Sequence, residues 1–136
     1  MPDLPLPFLA LMIGGLACAL VAIATVLLRP GAQGNPVLAA ALAAGFSAFT
    51  AITIWAEGVW PVVINHTSNL WGVQVWWDLL FSLTIALFFV APRARAAGMN
   101  LLPWTLFIAA TASIGLLVMC ARLFWLERAA AQPAKS

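Results

Sequence analysis

The chain has 136 residues, of which 65% are hydrophobic and 7% charged, with a formal net charge of +2. Soluble domains carry roughly 25% charged residues, and ten Lys, Arg, Asp and Glu side chains cannot cover a water-facing surface of this size. A soluble globular domain is therefore excluded, an integral membrane protein is indicated, and nothing points to a nucleic-acid partner.

Met1 to Pro7 contains no Lys or Arg, whereas a secretory signal needs a basic segment before its apolar core. The first apolar run, residues 8–28, is therefore expected to persist as a helix. At 1.5 Å per residue, twenty such residues match a hydrocarbon layer of ~30 Å. Turn chemistry in RPGAQGNP, Arg29 to Pro36, ends it. A second helix is expected over 37–57. After Trp60 and Pro61 the sequence VVINHTSN is too polar to continue in lipid. A third helix over 70–91 should stop at Pro92, with PRARAAGM in the next loop. The fourth covers 101–125 and is followed by a polar tail, 126–136. The expected fold is a single all-α domain, 1–136: an integral membrane four-helix bundle with short loops and antiparallel neighbours.

Four crossings put loops 29–36 and 92–100 on one side, with Arg29, Arg93 and Arg95. Arg122, Arg128 and Lys135 then lie on the other. This three-to-three tie leaves orientation to the first helix, which has Arg29 after it and no basic residue before it. That places loops 29–36 and 92–100 in the cytoplasm and Asn65–Leu80 outside. Cys18 and Cys120 lie in apolar runs and read as small buried hydrophobes. With no CxxC motif and one histidine, no metal site or cofactor is expected within the chain. Gly14 with Cys18, and Gly15 with Ala19, form small-xxx-small pairs suited to close helix packing or a dimer face.

Intramembrane ionisable residues are candidate functional groups because charge in lipid is costly. Glu57 ends the second helix, Asp78 lies ~12 Å into the third, and Arg122 lies near the end of the fourth. In a four-crossing bundle all three share a leaflet. At about 100° per residue, Trp71, Gln74, Asp78, Ser82 and Ile85 share one face. Trp104, Thr111, Gly115, Val118 and Arg122 share another, and Thr50, Thr53 and Glu57 a third. These stripes predict a polar funnel with Asn65, His66, Asn69 and Gln74 at its mouth. Asp78 and Arg122 would form a charge-assisted pair, Glu57 would be a proton donor or acceptor, and His66 could titrate or bind a polar head. The same residues also suit a structural lock between helices, an interfacial Glu57 and a surface His66. Trp55, Trp60, Trp71, Trp76 and Trp77 fit an interfacial belt, or stacking on a pigment or quinone.

Asp78-Leu79-Leu80, the loop Pro92–Met99, Pro103-Trp104, Gly115-Leu116 and Leu126-Glu127-Arg128 form an ordered series. This series resembles a family of small bacterial multi-pass membrane proteins of unknown function, over about the last sixty residues. The resemblance implies a bacterial inner-membrane location. Three functions compete. The first is a non-enzymatic accessory or scaffold subunit packing with other membrane subunits in a larger complex. The second is a bundle binding membrane lipid, quinone, isoprenoid or pigment, or a small enzyme using Glu57 and Asp78. The third is a small-solute transporter.

Overall fold

The computed structural model describes residues 6–28 and 34–132. Residues 1–5, 29–33 and 133–136 lie outside it, and with them most of the expected 29–36 loop and the end of the 126–136 tail. The described residues are all-α, with six helices and no strand. They divide into two compact units, residues 1–34 and 35–136.

The first unit contains one helix, α1 (Leu6–Leu27). It has no charged residue along its length, and its one hydroxyl is turned inward, Thr25 Oγ1 donating to the Ala22 carbonyl at 2.6 Å. Satisfying polar groups within the helix is what a hydrocarbon surrounding requires.

The second unit begins with α2 (Pro36–Glu57), followed by α3 (Trp60–Thr67), α4 (Leu70–Ala96), α5 (Leu101–Thr111) and α6 (Ser113–Ala131). Asparagines set three of the starts. The Asn35 side chain accepts from the Val37 and Leu38 amides at 3.1 and 3.2 Å, Asn69 from Gly72 at 2.8 Å, and Asn100 from Leu102 at 3.2 Å. Each satisfies amide donors that the first helical turn leaves without a partner. Gly58, at φ 80°, ends α2, a conformation glycine adopts without steric cost. Of these helices, α1, α2 and α4 are long and apolar enough to cross a membrane.

Three expectations change. The polar stretch after Trp60 is helical: α3 accepts Pro61 in its first turn, where the missing N–H costs nothing. It folds onto the start of α4 so closely that a Cβ on Gly72 would strike the Asn65 carbonyl, with His66 Cα at 3.2 Å. Helix α4 continues through Pro92 to Ala96, and this extra turn is anchored by Ala94, which is fully buried.

The largest change concerns 101–125. It is two helices rather than one, broken at Ala112, where φ is 51° and ψ −121°. A Cβ added to Gly115 would lie 2.9 Å from Ile108 Cα. In a continuous helix, seven residues separate the two by about 10 Å, so the chain must reverse. α6 therefore runs back beside α5, and the absence of a side chain at Gly115 permits the close approach. The stripe expected along 104–122 is consequently split between two helices of opposite direction.

The core follows from this reversal. Met119 and Leu123 of α6 are fully buried against Leu83, Ala94, Met99 and Ile108. α2 lies along α6, burying Ala39 and Ala43, small side chains that let helix backbones approach. α2 and α4 diverge instead, linked at one end by α3 and separated by a cleft.

Candidate functional site: an apolar cleft between diverging helices

The cleft has a volume of about 760 Å³. Its walls are the C-terminal half of α2, the middle of α4 and the tip of the α5–α6 hairpin. Phe46, Phe49, Leu80, Leu83, Leu87 and Ile108 are among its apolar lining residues. The hairpin closes one end with Thr111, Ala112 and Ile114. α3 and the end of α2 bound the other end with Val59, Pro61, Asn65 and Glu57.

Three of the five threonines in this lining, the others being Thr50 and Thr105, contribute little exposed polarity. Thr53, Thr84 and Thr111 each donate to the carbonyl four residues back, at 2.9, 2.8 and 2.7 Å. With their protons committed to the backbone, they present mainly methyl groups and lone pairs. Two lining side chains, Glu57 and Asn65, have no protein partner among the described residues. The arrangement is an apolar channel with one carboxyl and one carboxamide at its mouth, and among the described residues no Lys or Arg lines it.

The residues expected to form one polar funnel are distributed differently. Glu57 and Asn65 reach the cleft; His66, Asn69, Gln74 and Asp78 are not in its lining. Asn69 serves as the cap of α4. His66 Nδ1 donates to the Val62 carbonyl at 2.5 Å, which fixes its tautomer, and its ring lies 5.2 Å from that of Trp76. Gln74 and Asp78 are exposed on α4. Arg122 stacks on Trp125, with its guanidinium 4.7 Å from the ring centroid.

The expected Asp78–Arg122 pair is not made. The ion pair among the described residues joins Arg93 to Glu127 through two bonds, 2.9 and 2.7 Å long. The hairpin explains why: it brings the end of α6 beside the end of α4, and Arg93 lies fifteen residues, or ~22 Å, along α4 from Asp78. Arg122 is thus carried to the end opposite Asp78 and Glu57. The Arg93–Glu127 pair was not foreseen, because a fourth crossing would have put the two at opposite ends. Its one sequence trace is the spacing of Thr111, Ser113 and Gly115, weaker helix formers that flank the break.

Among the described residues no cluster of three or more His, Cys, Asp or Glu is placed to hold a metal ion. Comparison of the chain with family models, curated proteins and solved structures finds no match.

Proposed function

We propose that the protein is a membrane-embedded binding module for a single lipid-like molecule, with its apolar portion in the cleft and its polar head at Glu57 and Asn65. The observation that carries this reading is the cleft, whose 760 Å³ falls within the roughly 300–1,000 Å³ usual for ligand sites. Glu57 and Asn65 favour a head that is cationic or donates hydrogen bonds, since an anionic head would meet a carboxylate with no cation nearby. An enzyme using Glu57 and Asp78 together draws no support, because Asp78 does not line the cleft. The resemblance of the C-terminal motifs supports a bacterial inner membrane as the location.

The test is extraction of the protein in mild detergent followed by mass spectrometry of retained lipids. One species should be enriched over the bulk membrane. Ala109→Phe, which fills the cleft, should release it while circular dichroism is unchanged. Retention that mirrors bulk lipid and ignores Ala109→Phe would refute the proposal.

A second reading, an accessory subunit of a larger membrane complex, is favoured by Asp78. This exposed carboxylate lies ~12 Å along α4 without an ionic partner among the described residues. Its cost in lipid, about 2.5–3.5 kcal/mol on insertion scales, would be relieved by a cation or donor on a partner helix. Co-purification of a partner chain that Asp78→Leu abolishes, with the fold intact, is the expected result. A wild-type protein recovered alone would count against it.

A further inference from the structure

The α5–α6 hairpin alters which charges share an end of the second unit. Arg93 and Arg95 occupy the last turns of α4, and Arg128 the last turn of α6. The two helix ends are joined by the Arg93–Glu127 bonds and by Arg93 lying 5.5 Å over the Phe124 ring. Arg122 is held over Trp125, three residues nearer that same terminus. The four described arginines therefore lie toward one end, with Arg122 the deepest of them. The opposite end, Gly58 to Asn69, has no Lys or Arg. Glu127 offsets Arg93, so among the described residues Arg95, Arg122 and Arg128, all exposed, have no carboxylate partner. The depth of the hairpin fits the same picture. α5 has eleven residues, or ~16 Å by the helical rise, which is about half a ~30 Å hydrocarbon layer.

We propose that α5 and α6 enter and leave the membrane on the same side, that this side is cytoplasmic, and that Arg95, Arg122 and Arg128 form a surface binding the anionic headgroups of that leaflet. Orientation follows the Lys and Arg bias of loops close to membrane segments. With four crossings the bias was balanced; once α6 returns, it falls entirely on one end of this unit. Exposed arginines at headgroup depth attract anionic lipid, and Trp125 at the same level is suited to the interface. The proposal does not depend on what occupies the cleft, which lies toward the other end.

Two measurements test it on the full-length chain. In a background of Cys18→Ala and Cys120→Ala, single Ser68→Cys and Gln132→Cys variants are treated in intact cells with a membrane-impermeant maleimide. Ser68→Cys should react from outside, and Gln132→Cys only after permeabilisation. Both positions reacting alike would overturn the returning hairpin, and the reverse pattern would overturn the orientation. The second measurement reconstitutes the protein in equal phosphatidylglycerol and phosphatidylcholine and reads retained lipid by native mass spectrometry. Phosphatidylglycerol should be enriched, with enrichment falling roughly fivefold for each arginine removed in the series Arg95→Gln, Arg122→Gln, Arg128→Gln. Equal retention of the two lipids, or enrichment unchanged in the triple variant, would overturn the headgroup surface.

Discussion

Replacing Ala112 by glycine tests the hairpin by the sign of a single number. Ala112 has φ 51° and ψ −121°, a conformation that glycine adopts freely and an L side chain adopts only under strain. Its amide is held by the Ile108 carbonyl at 2.6 Å, so the surrounding turn fixes the residue there. Such strain costs on the order of 1–3 kcal/mol, while the extra freedom of glycine in the unfolded chain costs about 0.5–1 kcal/mol. Ala112→Gly should therefore stabilise the protein, by up to about 2.5 kcal/mol. In a continuous helix the same change would destabilise it by about 1 kcal/mol. Ala112→Val should move the other way from glycine, because a β-branched residue at positive φ is a severe outlier. Reversible unfolding in mixed micelles of increasing dodecyl sulfate, followed by the fluorescence of the seven tryptophans, reads the difference. Destabilisation by Ala112→Gly would refute the break and every conclusion drawn from it.

The other predictions concern what the hairpin holds together. Gly115→Val should disrupt the α5–α6 contact, since even a Cβ there meets Ile108 backbone atoms at 2.9 Å; loss of protection at Cys120 against a thiol reagent checks it. Removing Arg93 or Glu127 should cost about 0.5–1 kcal/mol, the range for partly exposed pairs, and a double-mutant cycle should show that the two losses do not add. Leu123→Ala should cost roughly 1–2 kcal/mol by unfolding in micelles. That is below the ~2–5 kcal/mol of water-soluble cores, because the deleted atoms would otherwise face lipid and only the packing is lost.

Much of the architecture is legible in order along the chain. The expected helices over 37–57 and 70–91 correspond to α2 and α4, because apolar runs of this length have no stable alternative in lipid. Helix ends were harder to place. Pro92 reads as a stop, yet α4 passes through it because Ala94 and Arg93 find tertiary partners in the following turn. α3 was hidden by its polarity; its Thr67 hydroxyl and His66 ring are satisfied by carbonyls of its own helix, which a count of polar residues cannot foresee. The candidate site was half visible. Glu57 and Asn65 stand out in the sequence and do reach the cleft, whereas Asp78 and Arg122 join them only if 101–125 is a single crossing. Helical periodicity gives an angle around one axis. It cannot supply the direction in which the next helix runs.

The sequence by itself determined the surroundings and the helical class. Ten charged residues in 136 require an apolar surrounding, an apolar surrounding requires helices, and Asn35, Asn69 and Asn100 mark where three of them begin. Only the tertiary structure decided which ends meet. A helix of twenty apolar residues and a hairpin of similar composition satisfy the same hydropathy, because both pair their backbone groups internally. The choice between them rests on one strained residue, Ala112, and one missing side chain, Gly115. From that choice follow the Arg93–Glu127 pair, the separation of Asp78 from Arg122, and the gathering of the described arginines at one end.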